Sequence, residues 1–294
     1  SSEPGWDAGP GSRAGGSQGP GESWGSRWRQ RRRWRGGAWA GRRSWHAGGG
    51  QDDWAAQSCD DPDWHTAGDG PAIREVVLIG IAGPSGVGKT TLARSLVKHL
   101  ESPVDPVGMD WFLVPQWMPK DKEDGERIWE SPDGVDFARL RRELRRAAAV
   151  LAAAERLPES MQLGGRFGED IVRQGCEGRR LGPGPVALVV EGFLLFYDKE
   201  LCDSLHARVW LEADCDTCAG RRFKRSKRKK KEEDVQKTKH WFNRQVWPYF
   251  TANRGTQLGN ARDALRLDAS QDPGAIFWKA AEHCQALLQR ASRS

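Results

Sequence analysis

Glu75-Val-Val-Leu-Ile-Gly-Ile-Ala82, running directly into Gly83-Pro-Ser-Gly-Val-Gly-Lys-Thr90, is the stretch that decides the fold. The first eight residues are a continuous apolar run of the kind a strand needs when both of its faces are buried. The next eight fit the pattern G-x-x-x-x-G-K-[ST], and Lys89–Leu100 continues as an amphipathic helix with Leu92, Leu96 and Leu100 on one face. Strand, glycine-rich turn and helix in that order form a phosphate site. Gly83, Ser85, Gly86, Val87 and Gly88 wrap the backbone so that successive N–H groups point at a phosphate, and Thr91 continues the loop into the helix, whose dipole adds to them. Lys89 reaches the β- and γ-phosphates, and the Thr90 hydroxyl is a ligand for Mg²⁺. The donor implied is ATP.

Downstream, Val104–Met109, Val186–Val190, His206–Leu211 and Ala264–Leu267 read as strands. They alternate with expected helices at Val135–Glu155 (Asp133 near its N-cap), Asp216–Arg228, Val235–Ala252 and Pro273–Arg290. This alternation predicts an α/β P-loop NTPase fold, a parallel sheet with helices on both faces. Met161–Pro185 is glycine-rich and reads as an irregular insertion. Two strand ends carry acids. Glu191 terminates Val186-Ala-Leu-Val-Val, where a carboxylate meets the ligand crevice and completes a metal site with Thr90. Asp110, in Gly108-Met-Asp-Trp-Phe-Leu-Val-Pro115, stands where it accepts the proton of an attacking hydroxyl.

Composition divides the 294 residues near Pro71. Residues 1–72 hold 8 of the 15 Trp and 16 of the 35 Gly, with nine Arg, nine acids and no Lys. With few aliphatic residues to bury, this tail is expected to be disordered. Its Arg/Trp-rich half could stack on single-stranded nucleic acid, or be a solvated tail. Residues 73–294 carry the whole net charge of +6 and suit one domain. The longest apolar runs fall far short of the ~18–20 residues that span a bilayer. Six scattered cysteines exclude a disulfide scaffold and point to a reducing compartment, cytoplasmic or, through the basic run Arg221–Lys231, nuclear. The chain starts at Ser1, so a targeting segment ahead of it is left open. Cys215-Asp-Thr-Cys218 lacks the second pair a zinc site would need.

The phosphate loop, the Asp-x-Phe segment ending at Pro115, Glu191-Gly-Phe-Leu-Leu-Phe196 and Val246-Trp-Pro-Tyr249 occur in one order. Together they resemble the nicotinamide riboside kinases, of the uridine kinase and pantothenate kinase group, over about residues 75–253. The resemblance implies transfer of a phosphoryl group from ATP, with Mg²⁺, to a nucleoside 5′-hydroxyl, giving nicotinamide mononucleotide for NAD biosynthesis. It puts Asp110 at the family's catalytic base. Trp129 would stack on a pyridinium ring, and Glu130 would hold ribose hydroxyls. Arg221, Arg222 and Arg225 would lie in a basic lid, about 221–240, over the phosphates. The pattern departs from the family at Trp111, where an acid is usual, at Glu130 in place of Asp, in the Lys-rich lid and in the extra length of Met161–Pro185. These departures keep uridine or cytidine and pantothenate open as acceptors. A P-loop nucleic-acid-binding protein using the tail and the Lys227–Lys231 run is the non-enzymatic alternative.

Overall fold

The structure is a computed structural model that describes residues 74–123, 125–164, 168–225 and 239–293. The Arg/Trp tail, most of the expected lid with the Lys227–Lys231 run, and the Arg225 side chain lie outside the described residues.

Five parallel strands form the central sheet in the order β2-β5-β1-β6-β7. They are β1 (Val76–Ala82), β2 (Val107–Gly108), β5 (Val186–Gly192), β6 (Ala207–Glu212) and β7 (Leu265–Asp268). β1 lies in the middle, and its side chains alternate between two cores. Val77, Ile79 and Ile81 face the core built with α1 (Lys89–His99) and the C-terminal helix α6 (Pro273–Ala291). Val76 and Ala82 face the other core, which includes Leu140, Leu144 and Leu151 of α2 (Phe137–Ala153) and Phe250 of α5 (Trp247–Asn260). Burial on both faces is why β1 and β5 read as unbroken apolar runs. Among the described residues no helix is long and apolar enough to cross a membrane.

Several boundaries differ from the sequence expectation. The strand expected over Val104–Met109 is only Val107–Gly108, because Pro106 has no N–H to give a ladder and the chain from Met109 to Phe112 closes into a 3₁₀ turn. Val104 pairs instead with Val172, antiparallel. α2 starts at Phe137 with Asp136 as its cap, whose carboxylate accepts from the Arg139 N–H at 2.9 Å. Asp133 belongs to a separate 3₁₀ turn, Pro132–Gly134, capped by Ser131. A short helix, α3 (Lys199–Ser204), was absent from the sequence expectation. α4 covers Cys215–Arg225, where the described residues stop, and the rest of the helix expected to Arg228 lies outside them. The next helix is described from Lys239, its expected start at Val235 lying outside the described residues; it passes through a π-helical turn at Phe242–Val246 and continues to Asn260 rather than Ala252.

The insertion Met161–Pro185 is irregular but anchored. It contains a small hairpin, β3 (Gln162–Leu163) with β4 (Glu169–Asp170), and buries Leu163, Ile171 and Cys176 in the main core. Arginines fasten it, Arg173 and Arg74 with the most bonds. Arg173 donates to the carbonyls of Ser102 and Val97 at the end of α1. Arg74 is itself buried and donates to Leu151, Ala154, Leu181 and Gly182 carbonyls, tying the C-terminus of α2 to the insertion. These carbonyls include ones that the last turn of a helix leaves without partners.

Candidate active site

The register of the sheet assembles the site. Ile81 pairs with Glu191 and Gly108 also pairs with Glu191, so β1, β5 and β2 end side by side. The phosphate loop, Glu191 and Asp110 therefore emerge at one carboxyl edge, as open α/β sheets place their ligands. They line a cavity of about 450 Å³ together with Ser85–Leu92, Ser95, Phe193, Leu211, Arg221, Arg222, Ala269 and the start of α6. That volume lies within the range of small-molecule sites.

The loop glycines have distinct duties. Gly83 (φ 141°) and Gly86 (φ 87°) hold backbone that L side chains rarely adopt. A Cβ on Gly83 would stand 2.3 Å from the Leu211 carbonyl oxygen, and one on Gly86 2.5 Å from that of Cys218. Gly83 thus seats the loop against β6 without lining the cavity, whereas Ser85 to Thr91 line it. Lys89 is only 8% exposed and donates to the Pro84 carbonyl at 2.9 Å. Burial pushes its ammonium below the ordinary lysine range, opposed by the nearby Glu191, Glu130 and Asp110 carboxylates. An ammonium held in this way gains its full charge partner when a phosphate enters.

Thr90 Oγ1 donates to Glu191 Oε1 at 2.7 Å. A hydroxyl and a carboxylate in contact at the mouth of the phosphate loop form an all-oxygen donor set, which suits Mg²⁺. Asp110 is exposed to the same cavity. Arg221 donates to the Val87 carbonyl at 3.0 Å and the Ala269 carbonyl at 2.7 Å, bracing the loop against the turn after β7. Arg222 donates to the Ser85 hydroxyl and lies 5.1 Å from the Trp241 ring centroid.

Glu130 comes from the 113–131 lip, an irregular segment of short turns, yet it is only 5% exposed. Burial pushes its carboxyl up to about 7, with Asp110 adding to the rise while Lys89, Arg222 and a hydrogen bond with Ser85 oppose it. Trp129, by contrast, is 43% exposed, and neither it nor Glu130 is among the cavity-lining residues. Cys218 is buried, its thiol pushed up to about 12 by that burial, and Cys215 Sγ donates to Asn243 Oδ1 at 3.4 Å. Among the described residues no group of three His, Cys, Asp or Glu could hold a metal ion.

Sequence reasoning missed Phe193, Ser95, Pro273, Ile276 and Phe277 as cavity walls. The last three open α6, more than 180 residues beyond the phosphate loop, and the packing of α6 against α1 and the sheet brings them there. Ala269, in the turn after β7, lines the cavity as well.

A phosphate loop at the head of a central parallel strand, with carboxylates from two neighbouring strand ends in the same cavity, defines a P-loop phosphotransferase. The model of the AAA domain family matches residues 79–240, more than half of the chain, and the chain belongs to that family. Its relatives include nicotinamide riboside kinase of Eremothecium gossypii, 27% identical over 203 residues, which are 67% of this chain and 83% of that protein. Nicotinamide riboside kinase 2 of Homo sapiens is 25% identical over 74% of this chain and 85% of its own length. Uridine kinase of Schizosaccharomyces pombe is 31% identical over 53% of this chain, but the match spans only 33% of that longer protein. The chain is thus a kinase of the nicotinamide riboside kinase and uridine kinase type.

Proposed function

We propose that this protein phosphorylates the 5′-hydroxyl of nicotinamide riboside with ATP, yielding nicotinamide mononucleotide for NAD biosynthesis. The observation that carries the reading is the meeting, in one cavity, of Asp110, the Thr90–Glu191 pair and buried Lys89. The backbone N–H groups of Ser85 to Thr91 hold the donor phosphates, and Lys89 neutralises the β- and γ-oxygens. Thr90 and Glu191 would hold Mg²⁺, which when bound withdraws charge from the phosphates undergoing transfer. Asp110 accepts the proton of the 5′-hydroxyl as the oxygen attacks the γ-phosphorus, and ADP leaves. Arg222, with Arg221 and Arg225, balances charge on the transferred group. Glu130 accepts hydrogen bonds from the ribose diol, and Trp129 offers an indole face to the pyridinium. With no covalent intermediate, catalysis is positioning and charge stabilisation.

The deciding experiment measures ADP release from ATP with nicotinamide riboside, uridine, cytidine and pantothenate as separate acceptors. Nicotinamide riboside should be preferred. Preference for a pyrimidine nucleoside would retain the mechanism and replace the substrate, and no turnover with any acceptor would sink the kinase reading. Asp110→Asn should bind ATP normally and lose transfer.

A further inference from the structure

The helix over Lys239 to Asn260 reaches both Arg222, which lies beside the phosphate loop, and the 113–131 lip. Near its start, Trp241 supports Arg222, which in turn donates to the Ser85 hydroxyl. Arg244 then donates to Glu123 Oε2 at 2.6 Å and to Asp121 Oδ1 at 3.4 Å, both on the lip. Two turns further on, Asn253 Nδ2 donates to the main-chain carbonyl of Glu130 at 3.3 Å.

The π-helical turn at Phe242–Val246 makes this reach possible. In an unbroken α-helix, residues twelve positions apart, as Trp241 and Asn253 are, would point about 120° away from each other. One extra residue in a turn swings everything after it by about 100°, leaving the two about 20° apart. The same helix side then serves Arg222 near the phosphates and Glu130 on the lip. Regular structure in the lip is sparse, one 3₁₀ turn at Pro115–Trp117 and an isolated Lys120–Arg127 bridge; Met118 and Ile128 are buried, while Trp117 and Trp129 are exposed.

We propose that Asn253 and Arg244 are positioning residues for the acceptor: they brace the lip from the π-kinked helix and so fix where the Glu130 carboxylate stands beside the phosphate loop. This rests on the reading of Glu130 as an acceptor ligand. Neither side chain touches the reacting atoms. Asn253 sets the Glu130 backbone, and Arg244 sets the hairpin that precedes it.

The test uses the full chain with Asn253→Ala, Arg244→Ala and the charge exchange Arg244→Glu/Glu123→Arg. Hydrogen–deuterium exchange of the unliganded protein should quicken in 113–131 and stay unchanged in 83–90 for both alanine variants. With whichever acceptor the wild type uses, Asn253→Ala should raise its KM about fivefold, the scale of one lost hydrogen bond. Arg244→Ala should raise it about threefold, as a part-exposed ion pair allows. The KM for ATP and kcat should stay within about twofold, and the charge exchange should restore most of the Arg244→Ala loss. Unchanged exchange in 113–131, or an equal rise in the KM for both substrates, would overturn the proposal. A wild type that phosphorylates no acceptor defeats the kinase reading instead, and the exchange data then decide the brace alone.

Discussion

The phosphate loop and the 113–131 lip meet where buried Glu130 stands close to Lys89 and Ser85, yet they are built by opposite means. The loop is a contiguous run whose shape comes from its own backbone, with Gly83, Gly86 and Gly88 at positive φ between a buried strand and an amphipathic helix. The lip has little regular structure; besides its buried Met118 and Ile128, it is held by Arg244 and Asn253, more than 120 residues away. Phosphate is the same ligand for every acceptor, so a fixed backbone cradle suffices. An acceptor differs from one kinase to the next, and a lip held by side chains can change without disturbing the cradle.

The largest effect should come from the loop. Lys89→Ala removes the cation that the cradle buries, and turnover should fall by about a thousandfold, the upper range for deleting one preorganised charge partner. The loss should be the same for every acceptor that the wild type accepts. A loss confined to one acceptor, read from kcat/KM across nicotinamide riboside and uridine, would break the division between cradle and lip.

The lip should give the converse. Trp129→Ala should raise the KM for nicotinamide riboside about threefold to tenfold, as expected for a cation–π contact. It should leave the KM for ATP alone and affect uridine less, because a neutral pyrimidine lacks the pyridinium charge. Trp129→Phe should recover part of the loss. An equal effect on uridine would mean that Trp129 serves the lip's packing and not ring recognition.

The same contrast explains how much was legible in the sequence. The strands around the cradle and the acids Asp110 and Glu191 were readable, because each acid stands at or just past a strand end and sheet register fixes where strand ends go. Lip and brace were not. Trp129 and Glu130 are adjacent in sequence, yet one is 43% exposed and the other buried, a difference set by the turn at Ile128–Ser131 and not by residue type. Asn253 and Arg244 sit on a helix whose phase is reset by a π turn, so periodicity could not say which side they face. The cap of α2 was misplaced by three residues because Ser131-Pro-Asp-Gly closes a turn of its own before Asp136. The Met161–Pro185 insertion looked loose because its anchors, Arg74 and Arg173, bond to backbone carbonyls, which leave no mark in composition.

The smallest effect should appear where cradle and lip meet. The Glu130 carboxyl ordinarily titrates near 4.5 and in the folded chain is pushed up to about 7, chiefly by burial, with Lys89, Arg222, Asp110 and Ser85 around it. A raised value means that the native state keeps its proton while the unfolded chain has lost it, so the folded state binds more protons between those limits. The stability linked to this group is therefore fully present below pH 4.5 and is lost as pH rises through about 7. Glu130→Gln has no such proton, while every other titrating group is common to both proteins. The Tm of wild type minus that of Glu130→Gln, measured without ligands, should fall by about 2–4 °C between about pH 6.3 and 8, corresponding to about 1 kcal/mol. Saturating ATP adds negative phosphate beside Glu130, which disfavours its charged form and should move the fall to higher pH. A difference that stays flat with pH would place Glu130 in contact with water, and the lip would then stand clear of the cradle instead of meeting it.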